Sequence, residues 1–246
     1  EFIQHEPCPK CGSRDNLARY TDGHAYCFGC EYRESGGEQK VVIDKGDKNM
    51  SFVDGEITNL NARGITEETC RKWDYRIGEV GGQPVQIANY KDSSGNRIAQ
   101  KIRFKNKDFH VRGDIKDAGL YGLHLWSGKG KKAVICEGEI DALSISQAQG
   151  NRWPVYSVPN GSAGASKSIR KSIELLNGYE EVIFCFDSDD PGVKAAKECA
   201  QVLPPGKAKI AKLPLKDANE MLKNGRVKDL VDCLWQAQVY RPDGIV

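Results

Sequence analysis

The sequence has no long apolar run. Its purely apolar stretches reach about five residues, as in Val182 to Phe186, against the roughly 20 that carry a helix across a bilayer, so a membrane-spanning helix is excluded. The opening residues Glu1 to His5 hold neither the basic region nor the apolar core of a secretory leader, and the expectation is an intracellular setting in which thiols stay reduced. Charge of one sign is not in excess either: 36 Lys and Arg stand against 34 Asp and Glu, a formal net charge of +2. The total therefore announces no nucleic-acid partner, and any such argument has to come from distribution. With 39% hydrophobic and 28% charged residues, the composition excludes disordered and collagen-like chains. A length of 246 residues suits one ordinary domain plus a small satellite.

What is present begins with cysteine. Nine of them in a reducing compartment do not form a disulfide framework, and an odd number cannot pair completely. Cys8-x2-Cys11 and Cys27-x2-Cys30, 15 residues apart, place two chelating pairs on facing knuckles, as four thiolates around tetrahedral Zn²⁺ require. Residues 1–33 cannot bury a core of their own, and metal binding would supply the folding energy. Cys70, Cys136, Cys185, Cys199 and Cys233 sit singly in apolar or helical surroundings and read as small buried hydrophobes. Tyr20, His24, Tyr26 and Phe28, interleaved with Arg14 and Arg19, suit stacking on unpaired bases, although a ribbon also needs aromatics simply to cover its metal.

Residues 34–51 are polar and glycine-containing and read as a flexible linker. Residues 52–132 read as a basic α+β module. From Lys91 to Lys132 there are 11 Lys and Arg against four Asp, a local surplus that leaves the remainder net acidic. Thr66 is an N-cap candidate for a helix ending at Trp73, and Pro84 to Tyr90 and Arg97 to Phe104 read as strands. The alternation at residues 101–107 puts Lys101, Arg103, Lys105 and Lys107 on one strand face and Ile102 and Phe104 on the other. A row of four cations suits phosphates, and a solvated strand face is the competing reading.

Residues 133–225 alternate strand and helix, which specifies a parallel α/β sheet. The expected strands are Ala133 to Cys136, Pro154 to Val158, Val182 to Phe186 and Ala208 to Leu213. Their helices are Ile140 to Gln149, Ser166 to Leu176, Gly192 to Leu203 and Ala218 to Asn224, with a C-terminal helix in residues 226–246. Chemistry in such sheets occurs beyond the carboxyl ends of the strands. There stand Glu137-Gly138-Glu139 with Asp141, then Asp187-Ser188-Asp189-Asp190, then Lys216-Asp217-Ala218-Asn219-Glu220. Gathered carboxylates need protons or cations between them, and hard oxygen ligands favour Mg²⁺ or Mn²⁺. Asp190 before Pro191 reads as an N-cap, Asp217 with Glu220 as a variant capping box, and Asp141 as a helix-start acid. Glu137, Asp187 and Asp189 have no such local explanation. Gly161 to Ser168 nearly spells a phosphate-cradling loop, with Ser166 where the second glycine belongs, and reads as a glycine-rich strand-to-helix loop without ATPase character.

Taken together, the Glu-Gly-Glu-x-Asp and Asp-x-Asp strand ends and the Lys-Asp-Ala-Asn-Glu segment resemble the Toprim fold of primases, some topoisomerases and some nucleases. With the four-cysteine ribbon in front, and with Asp22-Gly23-His24, Ala62-Arg63-Gly64-Ile65, Gln100-Lys101 and His124-Leu125-Trp126, the chain resembles the primase half of the bifunctional primase-helicases of T-odd bacteriophages. The resemblance implies an α/β fold comprising a small zinc ribbon, a basic α+β module and a Toprim-type parallel sheet. It also implies a DNA primase that makes short RNA primers for lagging-strand synthesis by metal-dependent nucleotidyl transfer. Its cofactors would be one structural Zn²⁺ on Cys8, Cys11, Cys27 and Cys30, and Mg²⁺ or Mn²⁺ on Glu137, Asp187, Asp189 and Asp217. Those acids and Lys101 would be catalytic, Lys101, Arg103 and Lys107 would bind nucleotide, and Asp22, His24 and Arg63 would bind template. Implied partners are single-stranded DNA, ribonucleoside triphosphates, a helicase domain of the same full-length chain and a replicative DNA polymerase, in the cytoplasm of the infected host and without a membrane. The family's Gly-His-Gly is replaced here by Pro159-Asn160-Gly161. A non-enzymatic recombination mediator, which also joins a four-cysteine module to a Toprim domain, is the alternative.

Overall fold

The structure, a computed structural model, describes residues 2–20, 24–34, 51–106 and 108–241, with residues 41–43 described for their backbone only. Most of the expected linker, together with Asp22 and Lys107, lies outside the described residues. The chain forms two compact units, residues 1–42 with 107–109, and residues 43–106 with 110–246.

The first unit is an antiparallel sheet of β1 (Phe2–Glu6), β2 (Leu17–Tyr20), β3 (Ala25–Cys27) and β4 (Arg33–Glu34), in that order. Its apolar centre amounts to Cys8, Leu17, Ala25 and Cys27, with Cys30 and Tyr32 packed against them. Arg19 laces the sheet, donating to Glu6 at 2.8 Å and to Glu34 at 3.0 Å. Such half-exposed pairs add little stability, so cohesion has to come from the cysteines. A short strand, β5 (Val41–Ile43), follows.

The second unit begins with the α+β module: β6 (Gly55–Glu56), a 3-10 turn Asn61–Arg63, α1 (Glu67–Trp73), β7 (Tyr75–Val80), β8 (Gln83–Lys91), β9 (Arg97–Arg103) and β10 (Phe109–Gly113). Antiparallel ladders join β6 to β7, β7 to β8 and β8 to β9. Thr66 is the N-cap of α1, its side chain accepting from the Thr69 N–H. Ile102 and Phe104 pack with Val53, Val85 and Ile87 on one face, as the alternation predicts. The opposite face departs from expectation. Lys101 is buried, with 8% of its surface exposed, because β9 is flanked by β8 and β10 and its second face turns to the core that holds Ala88, Tyr90 and Ala99. The strand ends at Arg103, so Lys105 lies in the following turn. The expected row of four strand-borne cations does not form.

Beyond this module run β11 (Gly130–Cys136), α2 (Glu139–Ala148), β12 (Val155–Ser157), α3 (Gly161–Lys171), α4 (Ile173–Asn177), β13 (Tyr179–Cys185), α5 (Asp190–Ala200), β14 (Ala208–Ile210), α6 (Ala218–Lys223), α7 (Val227–Trp235) and β15 (Gln238–Val239). The sheet order is β12-β11-β13-β14-β15, parallel except for the antiparallel edge strand β15. Both faces are covered, which is why the strands are near-continuous apolar runs. Val134, Cys136, Ile183 and Cys185 face the side of α2, α6 and α7. Ala133, Ile135, Val182 and Phe184 face the side of α3 and α5. The single helix expected over Ser166 to Leu176 is instead two, divided at Ser172, whose N–H is shared between the carbonyls of Ser168 and Ile169. The first of them starts at Gly161, so the segment read as a glycine-rich loop is helical throughout. Among the described residues, no helix is long and apolar enough to cross a membrane.

Candidate metal centres

In the first unit the two Cys-x2-Cys turns are built alike. The Gly12 N–H donates to the Cys8 carbonyl and the Cys8 N–H to the Ser13 carbonyl; the Glu31 N–H donates to the Cys27 carbonyl and the Cys27 N–H to the Tyr32 carbonyl. Gly12 and Glu31 both adopt positive φ, 68° and 55°, which curls each chain around its thiols. The result brings Cys8 Sγ within 3.7 Å of Cys30 Sγ and Cys11 Sγ within 3.7 Å of Cys27 Sγ, and all four sulfurs within 4.8 Å of one another. A tetrahedron with Zn–S bonds near 2.3 Å has sulfurs about 3.8 Å apart, so the cage fits zinc. The Ser13 hydroxyl beside Cys11 pulls that thiol down to about 6, while burial pushes Cys30 up to about 12. The His24 ring stacks on Tyr20 with centroids 4.1 Å apart and an interplanar angle of 9°.

The second centre lies where the α/β sheet changes direction. The chain passes from β11 to β12 on one side and then crosses to β13 on the other, opening a crevice at the carboxyl ends of β11 and β13. Cys136 and Cys185 are directly paired there, so Glu137 and Asp187 emerge from adjacent strands. Asp217 reaches the same edge through loop hydrogen bonds. The Ser188 N–H donates to the Lys216 carbonyl at 2.8 Å, and the Ser188 hydroxyl to the carbonyls of Leu213 and Leu215. Gly192 lies so close to the Asp187 carbonyl that a Cβ there would collide with it.

Burial and neighbouring charge raise the proton affinity of two of these acids. Burial, then the charges of Asp217, Asp187 and Glu137, pushes Asp141 up to about 8, although the Asn219 N–H donates to it at 3.1 Å. Burial, then Glu137, Asp217 and Asp189, pushes Asp187 up to about 7. Glu137 accepts from the Ser162 N–H through Oε1, while its buried Oε2 has no partner among the described residues. An orphaned buried carboxylate oxygen beside two neutral-leaning acids is a donor set that fits a divalent cation. Among the described residues only the four sulfurs, and no set of three carboxylates, close to within 4.8 Å.

The helix caps at this edge depart in part from those expected. Asp189, not Asp190, caps α5, its Oδ1 accepting from the Gly192 N–H at 2.9 Å. The tight turn out of β13 starts the helix one residue early and puts Asp190 inside its first turn. Asp217 caps α6 by accepting from the Glu220 N–H at 2.7 Å, but Glu220 returns its carboxylate to the Lys216 N–H instead of closing the box on Asp217.

Lys101 also has a partner that local sequence hides. Its Nζ donates to Glu139 Oε1 and to the Pro159 carbonyl, both at 3.0 Å, and the Tyr90 hydroxyl donates to the same Glu139 oxygen at 2.5 Å. Arg63 is half-buried and tied to the acidic edge: its guanidinium donates to Asn219 Oδ1 at 3.3 Å, and Asn219 Nδ2 returns to the Arg63 carbonyl at 2.9 Å. Asp141, Glu139, Ser188 and Asn219 are the site residues that sequence reasoning left unassigned. Asp141 had a visible signal, the fifth position of Glu-Gly-Glu-x-Asp. Ser188 and Glu139 act across 27 and 38 residues of chain and had none.

A four-thiolate ribbon in one unit and an acid-rimmed Toprim sheet in the other define the class, a zinc-ribbon Toprim protein. Residues 55–113 match the family described as bacteriophage T7 DNA helicase/primase, N-terminal α+β fold, and residues 134–222 match the Toprim-like family. A DNA helicase/primase of Enterobacteria phage T3 is 41% identical over 258 aligned positions that take in all of this chain and 45% of that protein. The solved primase fragment of the phage T7 primase-helicase protein is 39% identical, with a TM-score of 0.73 over 96% of this chain and 100% of that one. A chain in a solved complex of the phage T7 lagging-strand DNA polymerase with primase domains bound to an RNA/DNA hybrid and dTTP is 42% identical, with a TM-score of 0.73 over 76% of this chain and 95% of that one. This chain belongs to the bacteriophage DNA helicase/primase family, and it spans less than half the length of its phage T3 relative.

Proposed function

We propose that the chain is a DNA primase, synthesising short RNA primers on single-stranded DNA by metal-dependent nucleotidyl transfer for lagging-strand replication. The observation that carries this reading is the crowding of Glu137, Asp141, Asp187 and Asp217 at the sheet's switch point, with Asp187 and Asp141 pushed toward neutrality. Glu137, Asp187, Asp189 and Asp217 hold Mg²⁺ or Mn²⁺, with Asp141 behind them. When bound, the ion supplies Lewis-acid stabilisation of the triphosphate and of the attacking 3′-hydroxyl. The protein's own contribution is orientation. Lys101, fixed by Glu139, presents a positive charge next to the acids, and it binds incoming ribonucleotide with Arg103 and Lys107. Zinc on Cys8, Cys11, Cys27 and Cys30 holds the ribbon that reads template through Asp22 and His24, while Arg63 meets template from the tether at Asn219. The partners in this reading are a helicase portion in the full-length protein and the replicative DNA polymerase, in the cytoplasm of the infected bacterium, a reading supported by the fused helicase/primase of phage T3.

The test is incorporation of labelled ribonucleotides on a pool of single-stranded DNA templates, with Mg²⁺ and Mn²⁺ supplied separately. Short metal-dependent products on a subset of templates are expected. Asp187→Ala should reduce them at least about 10³-fold, a loss of about 4 kcal/mol of transition-state stabilisation, while oligonucleotide binding survives. Retained synthesis in that variant would sink the site assignment. DNA binding without any product would turn the reading toward a recombination mediator.

A further inference from the structure

The near-miss of a phosphate loop at Gly161 to Ser168 touches the site above through the Ser162 N–H, and the rest of the segment has another surrounding. The segment is helical from Gly161, so its backbone N–H groups cannot cradle a phosphate as a loop would. Its last residues nevertheless line a cavity. Lys167, Ser168 and Lys171 on α3 face Lys116, Gly119, Pro159 and Asn160 across an open pocket of about 200 Å³. That is smaller than the roughly 300–1,000 Å³ of a site that engulfs a drug-sized ligand, and it matches a small group rather than a whole nucleotide.

The chemistry of the lining is one-sided. Three of its seven residues are lysines and none is acidic. Lys171 donates to the Lys116 carbonyl at 3.1 Å, which brings two of the cation-bearing segments together. Among the described residues its acidic neighbour is Asp117, 4.0 Å away with 79% of its side chain exposed, where solvent screens the charge. Like charges lining one concave surface repel one another, and an anion among them relieves the repulsion; lysine meets phosphate as a point charge with rotatable donors. The pocket also abuts the reaction edge: the Pro159 carbonyl accepts from Lys101, and Ser162, at the start of the same helix, donates to Glu137. Five residues of α3 separate Ser162 from Lys167, about 7.5 Å of rise.

We infer that the pocket between α3 and the Lys116–Gly119 turn is a phosphate subsite, separate from the carboxylate edge, that takes a phosphate group of a nucleotide or of a nucleic-acid strand. It deepens the primase reading, but phosphate binding here needs neither synthesis nor Mg²⁺, so the two can fail independently.

The experiment uses the zinc-loaded full chain without added Mg²⁺ or Mn²⁺ and titrates inorganic tripolyphosphate and a single-stranded oligodeoxynucleotide by calorimetry. The wild type is compared with Lys167→Ala/Lys171→Ala, with Lys116→Ala and with the charge-keeping Lys167→Arg/Lys171→Arg. The expected result is at least a tenfold loss of affinity in the double alanine variant, a smaller loss in Lys116→Ala, and retention in the arginine variant. Loss for tripolyphosphate assigns the pocket to nucleotide phosphates. Loss for the oligonucleotide, with its log-log salt slope shallower by about 0.7 per lost contact, assigns it to a strand. Unchanged binding of both probes in the double alanine variant, with an unchanged melting temperature, would overturn the proposal.

Discussion

The ribbon gathers four thiols and the Toprim sheet a rim of carboxylates, yet they do so by opposite means. Among its described residues the ribbon has a small core, an apolar cluster of four buried residues with two partial neighbours, and its sulfurs already stand at tetrahedral spacing. The acidic edge rests on two extensive cores, one on each face of a five-stranded sheet, and its carboxylates are held near one another without closing as the sulfurs do. In the ribbon the ligands are the fold, so the metal and the structure stand or fall together. At the sheet edge the fold comes first and imposes the crowding, and the strain appears as raised proton affinity. Under the proposed function, the same contrast would make zinc a structural ion and a divalent cation on the acids an exchangeable one.

That comparison breaks most decisively in the ribbon. Cys27→Ser should abolish zinc retention and, with about 10–16 kcal/mol of metal-binding free energy at stake, unfold residues 2–34 while residues 133–239 keep their amide protection; zinc analysis and hydrogen exchange read both. A ribbon that stays protected without zinc would show that its small core suffices. Next in size, Glu139→Gln strands the buried Lys101 ammonium and should cost about 3 kcal/mol, measured by denaturant unfolding. Adding Lys101→Met to that variant should recover part of the loss, and failure to do so would mean the pair is not a coupled unit.

The acidic edge predicts a pH effect of opposite sense to ordinary acid denaturation. Asp141 and Asp187, at about 8 and 7, bind protons more tightly folded than unfolded, where aspartate titrates near about 4. Their stabilising contribution is full below pH 4 and is lost as pH rises through 7 and 8. Without Mg²⁺, the second unit should therefore melt lower at pH 8.5 than at pH 6, by at least about 1 kcal/mol or 2–4 °C, and Mg²⁺ should narrow the gap. A flat profile would mean that the carboxylates do not crowd. The smallest effect separates two roles of one residue. Asp189→Ala should cost about 1 kcal/mol through the lost cap of α5, whereas Asp189→Ser keeps a capping oxygen and most of the stability. Primer synthesis that falls in both variants would place the Asp189 carboxylate on the metal; synthesis that follows stability alone would leave it a cap.

Much of this molecule was legible from the chain. The four-cysteine cage followed from spacing, the alternating strands and helices from periodicity, and the acids from their position after apolar runs. Errors clustered where a residue's role depends on partners distant in sequence. Lys101 read as one of a row of four phosphate-binding cations on a strand face because no acid stands near it in sequence; the row does not form, and Lys101 pairs with Glu139, 38 residues on. Asp190 read as the cap because Pro191 follows it, whereas the close approach of Gly192 to the Asp187 carbonyl starts the helix at the preceding residue. Gly161 to Ser168 read as a loop because of its glycines, and packing of Ala165 and Ile169 in the α3–α5 core makes it helix.

The sequence by itself determined the four-cysteine cage and the acids that follow the apolar strands, because ligand type and short-range spacing are local properties: two Cys-x2-Cys turns need only their own backbone to form. It likewise determined the parallel sheet, since strands buried on both faces must be apolar throughout. Only the tertiary structure decided that Glu137, Asp141, Asp187 and Asp217 meet at one crevice, how Ser188 and Asn219 pin their loops, and that Lys101 is buried against Glu139. Those outcomes depend on strand order and on contacts across tens of residues, where burial and neighbouring charge, absent from any local pattern, set what each side chain does.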